Sequence, residues 1–387
     1  ISYTGEFTMR MRPSYSQFNI MNSQEQMGIY KEMAADGLFS FSRTMRAATS
    51  GIYGKMYTLL NTYDETNGRF GIANNPTAIN DYLREAEMRN TNWFKELFSN
   101  SVSMNHSISM SSGTEKAQYY TSFSFMDDPG WTEQSKVRRM TYSVNANYNL
   151  SKKVSLNLIG NTSYRKQRAP GSVNQDVNVV TGEVNRGFDI NPYSYAINTS
   201  RALDPNTFYV RNYAPFNIHH ELANNFIDFD VLDLKMQAEL KYKPIRDLEL
   251  SLLGAFKYMA STQEHNIKDD SNQALAYRAM GNGIIRDGNK YLYKDPSNPN
   301  KLPQTVLPYG GLYHKGDNRM SDYDLRATAN YNHTFAEKHI VNLIGGMEIK
   351  SIDRQRNASE GVGLRYKAGM VPFYVYDYFT HAVADGH

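Results

Sequence analysis

The side chains of this sequence that could do chemistry are a histidine pair, groups of aromatic rings and alternating charges. His219, His220 and Glu221 place two imidazoles beside a carboxylate, and zinc prefers such ligands. The His-Glu-x-x-His spacing is absent, and no second ligand pair lies at a helical or hairpin spacing. A Gly-x-Ser-x-Gly nucleophile motif is also absent. We therefore expect no metal, no cofactor and no catalytic residues, and we expect that the protein is not an enzyme.

Aromatic rings form the second group of candidate functional residues. Such rings can stack on a sugar or dock a partner, since Tyr is favoured at interfaces. A long ordered loop also needs a small core of its own, and both interpretations remain open for the crowded segment 166–226. For the ring beside the turn at 127–131, packing is favoured over stacking. The candidate substrate contacts are Trp131, Phe188, Tyr193, Tyr195, Tyr209 and Tyr213.

Period-2 alternation defines the elements that must position these side chains. Leu232, Leu234 and Met236 alternate with Asp233 and Lys235, which is typical of a strand with one apolar and one polar face. About nine segments behave in this way, at 1–11, 102–110, 117–126, 140–150, 154–164, 232–242, 248–258, 323–335 and 341–349. Their faces fit a solvated antiparallel sheet, and equally a membrane barrel with a polar lumen.

The lengths of the connections choose between these two architectures. Short turns near 111–116, 150–153, 243–247 and 336–338 alternate with long loops at 12–100, 166–226 and 261–319, and 127–137 is the one short exception. Every tight turn therefore lies at one end of the sheet and the long loops lie at the other, as in outer-membrane barrels. Rings such as Tyr148 and Tyr242 near the strand ends fit interfacial girdles. The sequence predicts an all-β transmembrane antiparallel barrel with short helices in long extracellular loops.

Composition agrees with this class and excludes others. The 387 residues include 29 Tyr, 18 Phe and 2 Trp, yet mean hydropathy is −0.61. So many rings argue against disorder, and no apolar run is long enough for a transmembrane helix. The balance of 42 basic against 39 acidic residues offers no basis for nucleic-acid binding. With no cysteine, disulfides and thiol chemistry are excluded.

Four segments carry a resemblance to a known family. A helix with a predicted Ser23–Gln26 capping box lies within 21–32, a Trp-containing segment at 91–98, and a serine-rich hairpin at 105–125. The fourth segment is the strand at 139–150. In this order they resemble the SusC/RagA-type TonB-dependent transporters of the Bacteroidetes outer membrane, most specifically in the hairpin taken together with the preceding Trp93 segment. The resemblance covers most of residues 1–165.

The resemblance implies a barrel of about 22 strands, of which residues 1–387 would form part of one domain. It implies active import of oligosaccharides or oligopeptides with a SusD-like surface lipoprotein, energised by TonB–ExbB–ExbD through a plug that lies outside this sequence. A dimer of SusC–SusD pairs and contact with outer-membrane lipid are also expected. Charges on the polar strand face are expected to meet the plug or lumen water, namely Glu6, Arg10, Asp233, Lys235, Glu239, Asp322, Asp324 and Arg326.

Two other functions remain open from the sequence. One is a passive porin-like channel, and the other is a secreted β-rich protein that binds or cleaves glycans. A glycosidase would need a pair of carboxylates across a cleft, which a single sequence cannot display. The odd strand count and the strand rhythm at Ile1 favour a chain that represents the N-terminal part of a barrel.

Overall fold

An antiparallel sheet of ten strands dominates the computed structural model. The structure describes residues 1–171, 176–177, 184–185, 188–336 and 338–372. Strands account for 49% of the structure, which confirms the predicted all-β class. No helix among the described residues has both the length and the apolar content needed to cross a bilayer.

Sixteen strands occur in the described residues. In chain order they are β1 Ser2–Arg10, β2 Tyr63–Asp64, β3 Arg69–Phe70, β4 Ser101–Gly113, β5 Ala117–Asp128, β6 Lys136–Asn149, β7 Val154–Pro170, β8 Asp176–Val177, β9 Val184–Asn185, β10 Tyr209–Arg211, β11 Ala214–Phe216, β12 Asn225–Ile245, β13 Leu248–Ile267, β14 Gly311–Phe335, β15 His339–Arg365 and β16 Val371–Pro372. The large sheet has the order β1-β4-β5-β6-β7-β12-β13-β14-β15-β16. Its nine long strands are those that the alternation predicts.

Tight turns lie at one end of the sheet and long loops at the other, as the sequence predicts. Neighbouring strands of the sheet pair antiparallel and follow one another along the chain, so successive connections fall at opposite ends. Tight turns join β4 to β5, β6 to β7, β12 to β13 and β14 to β15, although Glu337 of the last turn lies outside the described residues. The segments 11–100, 129–135, 188–224 and 268–310 gather at the other end.

Several strands continue beyond their predicted ends on the long-loop side. Strand β14 begins at Gly311 and not near Tyr323, and β13 runs to Ile267. In this extension His265 pairs with His314 and Glu264 with Lys315, so the ladder persists while the apolar alternation has stopped. Alternation reports burial in an apolar medium, and therefore misses strand residues whose faces are both polar.

Nine α-helices are described, all of them on the long loops. They are α1 Ser23–Ala35, α2 Phe41–Arg46, α3 Gly51–Asn61, α4 Pro76–Arg89, α5 Trp93–Leu97, α6 Pro192–Asn198, α7 Ile218–Asn224, α8 Asn272–Ala276 and α9 Gly283–Gly288. The capping box of α1 is formed by Asn22 and Glu25, so the predicted Ser23–Gln26 box is wrong. Ser23 Oγ instead donates to the Glu87 carbonyl oxygen at 2.6 Å, which joins α1 to α4.

Nearly all buried apolar side chains lie on the long-loop side. One cluster combines the first loop with the second, with Trp93, Phe94 and Leu97 against Ile218 and Leu222. We call the segments 11–100, 188–224 and 268–310 together the loop module. In the middle of the sheet, by contrast, Ala146 is the one apolar side chain of the described residues that reaches full burial. The sheet therefore lacks a protein core on its apolar face.

The sheet has two free edges in the part of the chain that the structure describes. Strand β1 pairs with β4, and β15 pairs with β14 along its whole length. The opposite side of β15 is paired only through Leu364 and Arg365, which meet β16. The sheet is thus open, as expected of a segment of a larger barrel.

Candidate functional site

A cavity of about 440 Å³ lies inside the loop module, between the first and second long loops. Its volume is within the range of about 300–1,000 Å³ that is typical of ligand pockets. The residues of its wall that bear on chemistry are Phe39, Ser50, Tyr195, Ser200, Tyr209 and Arg211. Two of them, Tyr195 and Tyr209, are among the candidate substrate contacts.

Backbone hydrogen bonds between the two loops hold the cavity in shape. The Ser50 N–H donates to the Val210 carbonyl oxygen at 3.2 Å, and Thr91 N–H donates to Arg201 O at 2.8 Å. Trp93 is buried and its Nε1 donates to the Ser200 carbonyl oxygen at 3.0 Å. Because these contacts join residues far apart in sequence, neither loop alone contains the site.

The cavity wall combines neutral hydroxyls with aromatic faces. Tyr195 lies edge-on to Trp93, with ring centroids 5.2 Å apart, and its burial raises the pKa of the phenol. Burial also raises the pKa of Tyr209, whose hydroxyl accepts a hydrogen bond from the Asp204 N–H at 2.9 Å. Both phenols are therefore uncharged at neutral pH.

One cation and one unpartnered hydroxyl complete the wall. Arg211 Nη2 donates to the Asp189 carbonyl oxygen at 2.7 Å, and its guanidinium lies over the Phe216 ring at 4.7 Å. Ser50 Oγ is buried and has no hydrogen-bond partner among the described residues. Such a wall suits a small amphipathic group that can accept or donate one hydrogen bond and stack on a ring.

The other candidate aromatics pack within or beside the module. Trp131 lies edge-on to Phe98 at 5.1 Å, and its Nε1 donates to the Met11 carbonyl oxygen at 3.2 Å. Tyr193 is 42% exposed and lies near Phe18, Phe94 and Phe98. Packing between loops explains these positions, and contact with a substrate stays a prediction.

Phe188 and Tyr213 lie toward the third long loop. The Phe188 ring centroid lies 4.9 Å from that of Tyr291 in a tilted arrangement, and the Tyr213 hydroxyl donates to the Gly288 carbonyl oxygen at 2.8 Å. Tyr213 adopts a positive φ of 63°, a conformation unusual for a bulky residue. These two candidates join the second and third loops and do not line the cavity.

The predicted polar-face charges do share one face of the sheet. Register and alternation place Asp233, Lys235 and Glu239 of β12 on the same side as Asp322, Asp324 and Arg326 of β14. They pair across strands, as Arg326 Nη2 does with Glu348 Oε1 at 3.2 Å and Lys257 Nζ with Asp233 Oδ2 at 3.4 Å. The remaining two, Glu6 and Arg10, lie on the same face of β1. Arg10 pairs with Asp128, and Glu6 accepts from Asn105 at 3.3 Å.

Several oxygens on this polar face are shielded yet lack hydrogen-bond partners among the described residues. They are Asn105 Oδ1, Asn157 Oδ1, Asp322 Oδ1, Asp324 Oδ1 and Asn330 Oδ1. Unpartnered buried acceptors carry a desolvation cost of about 1–3 kcal/mol each. A further hydrated or polar surface is the expected neighbour of this face.

The histidine pair serves structural contacts. His219 Nδ1 lies 2.6 Å from Glu133 Oε2, and His220 Nε2 lies 3.0 Å from the Asp270 carbonyl oxygen. The neighbouring Glu221 is buried. Within the described residues, no group of three His, Asp or Glu side chains is arranged to hold a metal ion.

The sequence did not reveal a buried polar network that joins the second and third loops to the strand ends. Glu221 Oε1 accepts from Asn225 Nδ2 at 3.2 Å, and Asn225 Oδ1 lies 2.7 Å from His265 Nε2. Asn272 Nδ2 donates to the carbonyl oxygen of Arg211, a residue of the cavity wall, at 2.7 Å. Burial raises the pKa of Glu221. Asn and Glu residues in loops carry no pattern that would mark such a network.

Long amphipathic strands, segregated loops and a coreless apolar face define the class of protein: this is a segment of a large antiparallel β-barrel. Comparison with solved structures agrees on the fold. The chain is similar to a chain of the RagAB peptide transporter, with a TM-score of 0.61 and 12% sequence identity. Two structures of the RagAB peptide importer, in its "closed-closed" and "open-open" states, give TM-scores of 0.59 and 0.57 at 14% identity.

Each match covers most of this chain but only part of the solved chain. It covers 96%, 96% and 93% of this chain but 36%, 36% and 35% of the solved chains, in the same order. The chain therefore spans about a third of the length of its structural neighbours. No protein-family model and no curated protein matches it.

Proposed function

We propose that this chain is part of the barrel of an outer-membrane TonB-dependent transporter that imports oligopeptides. The observation that carries the proposal is the structural match, which extends over 96% of the chain to a chain of a peptide transporter. The same match supports peptides over the oligosaccharides that the sequence left open. Transport, and not catalysis, is the proposed activity.

The dimensions of the apolar face support placement in a membrane. On β6 this face runs from Met140 to Tyr148, and the facing positions on β7 run from Tyr164 to Leu156. Counting one further apolar step, Leu150, the band covers about ten residues, or roughly 33 Å along a strand. At the 35–45° tilt of barrel strands this is about 25 Å of height, which matches the apolar band of outer-membrane barrels.

The polar face supports a lumen. Its ion pairs and its shielded unpartnered oxygens need water or another polar surface beside them. In the proposed transporter the lumen and its plug supply both, and strands beyond the described residues satisfy the free edges of β1 and β15.

The loop module supports a partner on the outer side. We propose that it meets a SusD-like lipoprotein, that TonB–ExbB–ExbD drives import through the plug, and that two transporter–lipoprotein pairs associate. The module is built around its own core, so it can present a defined surface and a preformed cavity. Peptide side chains or termini are the groups that we propose for this cavity.

Uptake by intact cells tests the proposal. A strain lacking the gene should lose uptake of a labelled oligopeptide mixture, and the intact gene should restore it. Uptake in the restored strain should stop when the proton-motive force is dissipated. Continued uptake in de-energised cells would favour the passive channel instead.

The secreted alternative has its own test. The native protein should remain with membranes after a high-salt wash and should need detergent for extraction. Recovery of the folded protein in the wash would contradict membrane placement. Restoration of growth by oligosaccharides but not peptides would overturn the assigned cargo while leaving transport intact.

A further inference from the structure

Four cations form a compact group on the apolar face, just beyond its last row of rings. Lys136 and Arg138 lie on β6, and Lys166 and Arg168 lie on β7. Lys136 is directly opposite Arg168, and Arg138 is directly opposite Lys166. Residues two apart on a strand share a face, so all four side chains emerge on one side. Tyr164, one step below, marks the edge of the apolar band.

Like charges directly opposite each other destabilise a strand pair. Three carboxylates offset part of this repulsion. Arg138 Nε lies 2.7 Å from Asp127 Oδ1, Arg168 Nε 2.7 Å from Asp228 Oδ1, and Lys166 Nζ 3.7 Å from Asp230 Oδ1. For Lys136, no carboxylate of the described residues lies within ion-pair distance.

The cations also lie further out than their carboxylates. The Arg138 side chain is 55% exposed against 19% for Asp127, and Lys166 is 63% exposed against 38% for Asp230. The cations are therefore the more exposed members of these pairs. Arg168 donates through both Nε and Nη2 to Asp228, and Arg138 donates through Nε to Asp127. The donors left for a further anion are the other N–H groups of the two arginines and the two lysine ammonium groups. Phosphate is the anion that such a group of Lys and Arg binds well.

An apolar groove of about 810 Å³ lies below the cations on the same face. Ala146, Gly160, Ala238 and Gly254 are its small residues, and Phe256 lies beside them. Gly160 is six positions from Lys166, or about 20 Å along the strand. At a tilt of 35–45° this is about 15 Å of depth, which is half of a hydrocarbon core of about 30 Å.

We propose that this face holds one phosphate-bearing lipid of the outer leaflet. Its phosphate binds Lys136, Arg138, Lys166 and Arg168, and an acyl chain descends into the groove. Charge complementarity and the position of an apolar groove below the cations on the same face argue for a lipid over any soluble partner. The inference rests on the membrane placement that the proposed function requires.

Binding of defined lipids to the detergent-purified native protein tests this site. Dipalmitoyl phosphatidic acid should bind saturably, and dipalmitoylglycerol, which lacks the phosphate, should bind about tenfold or more weakly. Changing Lys136, Arg138, Lys166 and Arg168 together to Gln should weaken phosphatidic acid to the same degree. Equal affinity of the two lipids, or of wild type and variant, would overturn the proposal.

The matched control lies on the same two strands. Arg139 and Arg165 face each other across β6 and β7 on the polar side. The double variant R139Q/R165Q should bind phosphatidic acid as the wild type does. Equal loss in this variant would show that overall charge, and not the site, attracts the lipid.

Two further experiments test whether the acyl chain occupies the groove and whether the bound phosphate belongs to a lipid. No atom lies within 4 Å of a Cβ built on Gly254, so Gly254→Leu can fill the groove without displacing its neighbours. This variant should weaken the dipalmitoyl lipid more than the dihexanoyl lipid. Displacement of the long-chain lipid by an equal concentration of inorganic phosphate would overturn the lipid assignment.

Membrane retention and peptide uptake are measured in the same variants. If the wild type does not bind phosphatidic acid but stays in membranes and imports peptide, only the lipid site is contradicted. Loss of wild-type membrane retention contradicts the proposed function as well, so the two failures are distinguishable.

Discussion

At the residue scale, two buried serines of the loop module differ in whether their hydroxyls make hydrogen bonds within the protein. Ser23 Oγ donates to the Glu87 carbonyl oxygen and accepts from the Asn90 N–H, whereas Ser50 Oγ has no partner among the described residues. Since both serines are buried, they form a matched pair for the same substitution. A buried hydroxyl that does nothing for the fold is a candidate for contact with a ligand.

We predict that Ser50→Ala leaves the stability of the loop module unchanged or slightly higher, because no protein hydrogen bond is lost. If Ser50 contacts the peptide, the apparent affinity for uptake falls by about tenfold, equivalent to about 1.4 kcal/mol. Ser23→Ala should instead destabilise the module by about 1–3 kcal/mol. Hydrogen exchange and uptake titration measure the two effects, and an unchanged affinity in S50A would remove Ser50 from the site.

The His219 contact predicts a pH dependence at the base of the second loop. Its hydrogen bond to Glu133 raises the pKa of His219 above the ordinary value. The stabilisation is therefore complete below the unfolded-state pKa, and is lost as pH rises through the raised folded-state pKa. The difference in melting temperature between wild type and His219→Gln should shrink from acidic to alkaline pH. A difference that grows with pH would contradict the assignment.

The cavity itself could not be predicted from sequence. Tyr195 and Tyr209 were accessible as candidates because rings crowd that loop. Their partners Ser50, Phe39 and Arg211 carry no common motif, and the first two come from the preceding loop. Only tertiary hydrogen bonds, such as that from Ser50 N–H to Val210, bring the two sets together.

At the element scale, the connection from β5 to β6 is the one short segment on the long-loop side. Gly130 has a φ of +84°, and a Cβ built there would lie 2.1 Å from the Ser135 carbonyl oxygen. Asp128 Oδ1 accepts from the Gly130 N–H at 2.9 Å and holds the turn closed. The backbone conformation and the close approach both require glycine at this position.

We predict that Gly130→Ala loosens this turn, at a cost of at least about 1–3 kcal/mol for the strained conformation alone. Hydrogen exchange should quicken in 128–136 and at the Trp131 contacts. Gly345→Ala is the matched control, because a Cβ there has open space and φ is not positive. Equal exchange in the two variants would show that the turn can relax around a side chain.

Strands were more predictable than their ends. Alternation reports which side of a strand meets an apolar medium, and it therefore locates the nine long strands between Ile1 and Ile349. It cannot detect the first part of β14, which begins at Gly311. There Lys315 and Asp317 lie on the face that is apolar further along the strand. Helix caps were less predictable, because Asn22 and Ser23 are both good caps and only the tertiary use of Ser23 decides between them.

At the whole-molecule scale, two exposed edges and an apolar face without a core predict how this segment behaves when isolated. The unpaired side of β15 extends from His339 to Gly363 within the described residues. Residues 1–387 expressed alone should associate or precipitate on removal of detergent, since long free edges template pairing with other chains. Size-exclusion chromatography with light scattering would measure this, and a stable monomer in plain buffer would contradict the barrel-segment architecture.

Contacts in the large sheet and in the loop module differ in their distance along the chain. Four strand pairs of the sheet are joined by tight turns, whereas the module relies on bonds such as that from Arg89 to Ala202, which are 113 residues apart. Loop closure over such distances is slow, so local hairpins should form first. The module then assembles last, and its contacts between loops connect β1 to the strands after residue 224. The structure therefore implies an order of assembly. The surface proposed for cargo and partner forms only after the strands of the sheet have paired in the correct register.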